Sequence, residues 1–429
     1  MSHFGVIAPA LPSHFRALQA LGVELVTRGH RVTFIHQQDA AAWLDSPLID
    51  FHAVGRASHP AGSLAATLGC AANPSGPLGL RRLIADMART TEMLCRELPP
   101  ALSTLQIDAL LCDQMEAAGG LVAEAAGLPF ISVACALPVN REPGIPLPVM
   151  PMAYGTDERS RQMYLGSARV YDWMMGPHRR VIAAQAAALG LSPRDGLHHC
   201  LSPLAQVSQT VPGFEFPRLA LPAHFHHVGP LRASTSTELP LPFPVADDRP
   251  LVFASLGTLQ GQRFGLFKRI ARACRRLDVQ LLLAHCGGLD LAQARALEQE
   301  GATWVTDFAP QRAALARADA VVTHGGLNTV MDAIAARTPM LVLPIAFDQA
   351  GVAARVCHAG VGLKASSRFA GSATMAGLLR RLLDEPQVSA GLARLGDEVD
   401  AAGGTAAAAD IAEQTLRTGR PVVAGEGPP

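Results

Sequence analysis

Apolar residues along this chain fall into short continuous runs separated by longer stretches in which they recur every three or four positions, and that alternation predicts its architecture. FGVIAP (4–9) reads as a buried strand, HFRALQALGVELVTRG (14–29) as an amphipathic helix closed by Gly29, and RVTFIH (31–36) as a second strand. Together they form a β-α-β unit. The pattern resumes at IDALLCD (107–113) and LPFISVA (128–134), with helical MEAAGGLVAEAAG between them. From about 138 to 230 it blurs into a region rich in proline, methionine and glycine, which reads as decoration on an open sheet.

A second block begins beyond GPLRASTSTELPLPFPVADDRP (229–250), where Pro230, Pro240, Pro242, Pro244 and Pro250 predict an extended, coreless linker. Strands follow at LVFASLG (251–257), QLLLAHC (280–286), TWVTDF (303–308), AVVTHG (320–325) and MLVLPI (340–345), with helices between them. Such alternation predicts parallel sheets covered on both faces, and two domains of this kind facing one another make a cleft. The fold class is therefore α/β with two facing Rossmann-like domains: 1–230 for the first, a linker over 231–250, 251–405 for the second, and a C-terminal helix and flexible tail over 406–429. A chain of 429 residues agrees, because a single core usually splits beyond ~250–300 residues.

Composition narrows the function. With 36 basic and 36 acidic residues and a pI near 7.3, nothing predicts a nucleic-acid partner. The eight cysteines show no C-x-x-C spacing and read as free thiols of a reducing compartment. MSHFGVIAPALP lacks the basic start of a signal peptide. AAGLPFISVACALPVN (125–140) carries two prolines and is shorter than the ~20 residues of a spanning helix. A cytoplasmic protein acting on small molecules is expected. HFHH (224–227) invites a metal, but it sits among prolines in connecting chain, without a carboxylate or cysteine at ligand spacing, so no metal site is predicted.

The chemistry gathers at VTHGGLNTVMD (322–332), a strand that gives way to His324, Gly325, Gly326 and a helix opened by Asn328. Glycine lets a ligand reach the backbone, and a helix start offers free N–H groups and a positive dipole end to an anion. A phosphate or diphosphate fits, as does a tight turn with a core histidine. SLGT (255–258), DFAPQ (307–311) and PIAFDQ (344–349) occupy equivalent strand ends. Together the four resemble the signature of the nucleotide-sugar-dependent glycosyltransferases of GT-B fold, the UDP-glycosyltransferase family, and the likeness extends over nearly the whole chain. FASLGTLQG, LLLAHCG, FISVACALP, MARTTEMLCRELP and YDWMM are similar to its carotenoid-glucosylating members.

That resemblance implies roles. Phe308 would stack on uracil, where plant members typically carry tryptophan. Gln311 would meet base or ribose, and Asp332 the ribose hydroxyls, where many members have glutamate. His324, assisted by Thr258, would donate to a phosphate oxygen, with Asn328 and Thr329 on the other phosphate. Ser255 and Gly326 complete the donor site, while Asp348 and Gln349 would bond the sugar hydroxyls. No Asp-x-Asp motif occurs, which fits a reaction with UDP-glucose as co-substrate and no metal or other cofactor.

The first half supplies a base. His14 follows the first strand, with Ser13 as a helix N-cap, and a helix start disfavours the imidazolium. Asp113, at the end of DALLC, is placed to orient one ring nitrogen; Asp108 belongs to the other rim. Both match the family's His–Asp dyad, although a passive helix-start histidine fits the same pattern. Met150, Met152, Met163, Met174 and Met175, with Tyr154, Tyr171 and Trp173, read either as lining for a greasy acceptor or as core. The resemblance implies an inverting glucosyltransferase acting on zeaxanthin; the alternative is a macrolide, sterol or other lipophilic aglycone. An epimerase of this architecture would need neither His14 nor Asp113. A carotenoid diol resides in a bilayer, so a peripheral membrane contact is expected, through Leu147, Val149 and Met150 of PGIPLPVMPM.

Overall fold

The computed structural model describes residues 1–73, 76–233 and 240–425. Seven strands make the first sheet: β1 (His3–Ile7), β2 (Arg31–Gln37), β3 (Asp50–Val54), β4 (Ala109–Asp113), β5 (Phe130–Ala134), β6 (Ala205–Ser208) and β7 (Phe225–His227). Their order is β3-β2-β1-β4-β5-β6-β7, parallel throughout. The second holds β8 (Leu251–Ser255), β9 (Gln280–Ala284), β10 (Trp304–Thr306), β11 (Ala320–Thr323), β12 (Met340–Val342) and β13 (Gly362–Lys364), in the order β10-β9-β8-β11-β12-β13. Strand order therefore reverses between β1 and β4 and between β8 and β11, the points at which open parallel sheets leave a ligand crevice.

Residues alternate between the faces of each strand, so both faces of a covered sheet must be apolar. On β1, Phe4 and Val6 join Phe15, Leu18 and Phe34 in one core, while Ile7 joins Ile35, Leu110 and Cys112 in the other. Four short strands escaped the sequence pattern: β3, β7 and β13 at sheet edges, and β6 beside β7. HFHH is not connecting chain but β7; its histidines are engaged with Ser202 O, Val422 O and Thr210 Oγ1.

The domains are tied in several ways. Arg355 of the helix Gln349–His358, fully buried, donates from Nε to Glu215 Oε1 of the first domain and lies 4.3 Å from the Phe216 ring centroid. Of the linker, residues 234–239 lie outside the described residues. Leu231 is buried in the first core, and Phe243 packs 5.7 Å from Trp304 in the second domain. The last helix, Gly404–Thr418, returns to the first domain, where Ala408 and Ala412 join the Leu18 core and Arg28 pairs with Asp410 and Glu413. Of the tail, Val422 N donates to Leu204 O and Ala424 N to Ala223 O, both at 2.8 Å, and residues 426–429 lie outside the described residues.

Candidate active site

His14, on the helix that follows β1, and Asp113, at the end of β4, meet at the first reversal point. His14 Nδ1 meets Asp113 Oδ2 at 2.6 Å, and both residues are buried. The Met115 N–H donates to the other oxygen, Asp113 Oδ1, at 2.9 Å. Asp108, before the opposite end of β4, accepts from the His3 N–H instead. Burial works against a charged His14, but the charge and hydrogen bond of Asp113, with a weaker contribution from Asp348, outweigh it and raise the imidazole above its ordinary pKa. The carboxylate thus overrides the helix-start effect expected from the sequence. Nor does Ser13 cap the helix, which runs Pro12–Thr27 with Leu11 as its uncapped N-cap.

Across the cleft, His324 follows β11. The Cε1–Nε2 edge of its ring is wedged between two glycines: a Cβ at Gly257 or Gly326 would come within 2.6 or 2.7 Å of it. Its Nδ1 is buried without a hydrogen-bond partner among the described residues. Burial lowers its pKa to about 4, so at physiological pH this histidine is a neutral N–H donor. Thr258 is exposed just beyond β8, which ends on buried Ser255. Phe308 stands 66 % exposed at the rim, its ring free to take a stacking partner.

The other donor-side candidates are closed on one another. Gln311 Nε2 donates to Asp332 Oδ2 at 2.7 Å, and the Thr329 hydroxyl donates to Gln311 Oε1 at 3.5 Å. Asp332 Oδ1 accepts from Arg232 Nε at 2.7 Å, and the same guanidinium donates to Gln209 Oε1 and Asn328 O at 3.0 and 2.9 Å. Asn328 spans the cleft, donating from Nδ2 to Ser13 O at 3.1 Å and accepting from Gln209 Nε2 at 2.9 Å. Its side chain faces the first domain, where Ser13 and Gln209 offer it matched partners. Asp348 Oδ2 accepts from the Leu137 N–H at 3.1 Å. Buried Gln349 uses its carbonyl on the Ile345 and Ala346 N–H groups, both at 2.8 Å.

His14 and every donor-side candidate line one cavity of about 1460 Å³, which reaches into the first domain past Leu83, Met87, Met150 and Met174. Asp113 stays outside its lining, behind His14. Leu147, Val149 and Met150 line this cavity, half-buried, which corrects their expected place as an exposed membrane contact. Met163 and Trp173 lie on the outer surface and not in the acceptor lining.

Four residues were missed. Arg232 lay in a stretch read as coreless linker, and Gln209 in the region read as decoration. Cys135 Sγ lies within 4.8 Å of the facing His14 and Asp113 atoms. Glu116 caps the helix Ala117–Ala126, accepting from Ala118 N and the Thr91 hydroxyl at 3.0 and 2.8 Å, and lines the cavity. Burial pushes its carboxyl up to about 7. A Glu followed by small helix formers is the one signal that would have marked this cap.

The family model described as "UDP-glucoronosyl and UDP-glucosyl transferase" matches residues 80–396. The chain belongs to this family. The glycosyltransferase is 55% identical over 431 residues to the zeaxanthin glucosyltransferase of Pantoea ananas, spanning 100% of this chain and 99% of that protein. It is 47% identical over 417 residues to the zeaxanthin glucosyltransferase of Pseudescherichia vulneris, spanning 97% and 98%. Among solved structures, the crystal structure of the glycotransferase of kitacinnamycin matches with a TM-score of 0.75 over 97% of this chain and 99% of that one, at 20% identity. That likeness bears on the fold, the two facing Rossmann-like domains of the GT-B class.

Proposed function

We propose that this glycosyltransferase moves glucose from UDP-glucose to the hydroxyls of zeaxanthin, with inversion at the anomeric carbon and without a metal ion. The observation that carries the substrates is the full-length likeness to two zeaxanthin glucosyltransferases. An alcohol is a poor nucleophile at neutral pH. His14, held at Nδ1 by Asp113, takes the hydroxyl proton on Nε2 as the oxygen attacks from the face opposite UDP, and Asp113 stabilises the imidazolium. An α-linked donor then gives a β-glucoside.

The departing diphosphate meets the neutral His324 N–H, the Thr258 hydroxyl and the free N–H groups that start the helix Leu327–Ala335. On this reading Phe308 stacks on uracil, Gln311 and Asp332 meet the ribose, and Asp348 and Gln349 select the hexose. Incubation with UDP-glucose and detergent-solubilised zeaxanthin tests it. The pigment should gain one and then two hexosyl increments by mass spectrometry, with β-linkage by NMR. Glucosylation of a macrolide or sterol and not of zeaxanthin would move the enzyme to the other lipophilic aglycones.

A further inference from the structure

The helix Glu158–Met174 turns an unusual face outward. Met163, Gly166, Val170 and Trp173 fall on one stripe, since residues three and four apart share a helix face. The side chains of Met163, Val170 and Trp173 are 46%, 55% and 81% exposed. Single exposed apolar residues are ordinary, but a contiguous stripe marks a contact surface. Arg159 and Arg169 flank it, exposed, and neither side chain makes a hydrogen bond or ion pair among the described residues. The carboxylates of this helix lie at its two ends: Glu158, beside the N-cap Asp157 and 4.0 Å from Arg161, and Asp172, held by Arg141 on the inner side, so the only charges along the stripe between them are arginines. A second patch opens the helix Gly76–Leu105: Leu78 and Leu80 are exposed beside Arg81 and Arg82, whose side chains also lack partners among the described residues.

Both elements back onto the acceptor cavity. Leu80, Leu83 and Met87 line it from one, Tyr171 and Met174 from the other. Trp173 thus faces outward while the next residue faces the cavity, so stripe and acceptor path are two sides of one helix. We infer that these two surfaces dock on an anionic lipid bilayer, so that the acceptor passes from bilayer to cavity without crossing water. The idea rests on the lipophilic acceptor proposed above and adds the route by which it arrives.

Tryptophan favours the membrane–water interface, and an apolar stripe rimmed by arginines is the composition of helices that lie in it. Arginines near the surface are drawn to acidic headgroups. A net charge of zero is unevenly spread, and Arg169, Arg81 and Arg82 beside the apolar side chains leave these two surfaces locally basic. Among the described residues no helix is long and apolar enough to cross a membrane, so the contact is peripheral.

Sedimentation of the full chain with vesicles tests the surface, using phosphatidylcholine alone and phosphatidylcholine mixed with phosphatidylglycerol. The mixed vesicles should bind about tenfold more tightly, and high salt should weaken binding to them. Trp173→Glu and Arg169→Glu should each reduce that binding by about tenfold. Both should slow glucosylation of vesicle-borne zeaxanthin while leaving turnover of detergent-solubilised zeaxanthin unchanged. A wild-type chain that stays in the supernatant, or a Trp173→Glu chain that sediments like wild type, overturns the proposal. Vesicle binding without transfer to zeaxanthin would instead defeat the substrate assignment and leave the surface standing.

Discussion

Arg232 donates from Nε to Asp332 Oδ1 at 2.7 Å, joining the start of the interdomain segment to the helix beneath the proposed ribose site. Gln311 occupies the other oxygen. An ionised carboxylate offers about four lone-pair sites, so ribose hydroxyls can be added without breaking either bond, and the pair fixes Asp332 before the nucleotide arrives. Arg232→Ala should therefore weaken UDP binding about tenfold. Arg232→Lys should recover little, because an ammonium lacks the fork that serves Asp332, Gln209 and Asn328 together. Calorimetric titration with UDP measures both, and wild-type affinity in Arg232→Ala would remove this residue from the donor site.

The base is tested separately, on the other domain. His14→Ala should lower turnover by roughly 10²–10⁴ while UDP affinity stays near wild type; Asp113→Asn should lose less. The base must be neutral to accept a proton, and the folded protein raises its pKa above 6.5. Activity should therefore fall on an acidic limb that begins above that value. Removing the Asp113 charge removes the largest raising influence, so Asp113→Asn should move the limb to lower pH. A limb that stays in place would dissociate the pair from catalysis.

What the sequence made legible were features written locally. A strand-to-helix turn carries its glycines and its histidine side by side, so His324 stood out from the local pattern, while the roles of Thr258 and Phe308 came from the family resemblance; the strand order that sets the His14 helix beside Asp113 emerged only with the fold. The partners of Asn328 are not local: Gln209 lies 119 residues away in the chain, Ser13 315 and Arg232 96. Only the closing of one domain against the other decides that these side chains meet. Leu147 was misplaced for a similar reason: proline and apolar residues describe an irregular segment but not which side of it faces a cavity.

His324 offers a sharper test of how the diphosphate is held. With its pKa lowered to about 4 by burial, it donates as a neutral imidazole at pH 6 and at pH 8. His324→Ala should weaken UDP binding about ten- to a hundredfold, the range for a lost hydrogen bond to a charged group, and by the same factor at both pH values. A larger loss at pH 6 would show that the histidine acts as a cation. EDTA should leave turnover intact if histidine and helix start carry the charge, and a strict Mg²⁺ requirement would contradict that account.

Glu116 makes a prediction about stability. Its folded pKa of about 7 lies above the ordinary 4.5 because burial disfavours the carboxylate. Between those values the folded chain binds a proton that the unfolded chain has released, so this residue's contribution to stability is whole below about 4.5 and is lost as pH rises through 7. At pH 8 the ionised, buried carboxylate opposes folding by something on the order of 3 kcal/mol. Glu116→Gln removes the charge but keeps a carbonyl oxygen for the Ala118 N–H and the Thr91 hydroxyl. It should melt above wild type at pH 8, with the gap closing by pH 5, in calorimetric scans at the two values. Glu116→Ala loses the cap as well, typically ~1 kcal/mol, and should give back part of that gain. A Glu116→Gln protein less stable than wild type at pH 8 would mean that the carboxylate is needed in its charged form, and would make Glu116 a fixed anion of the acceptor cavity and not a buried neutral acid.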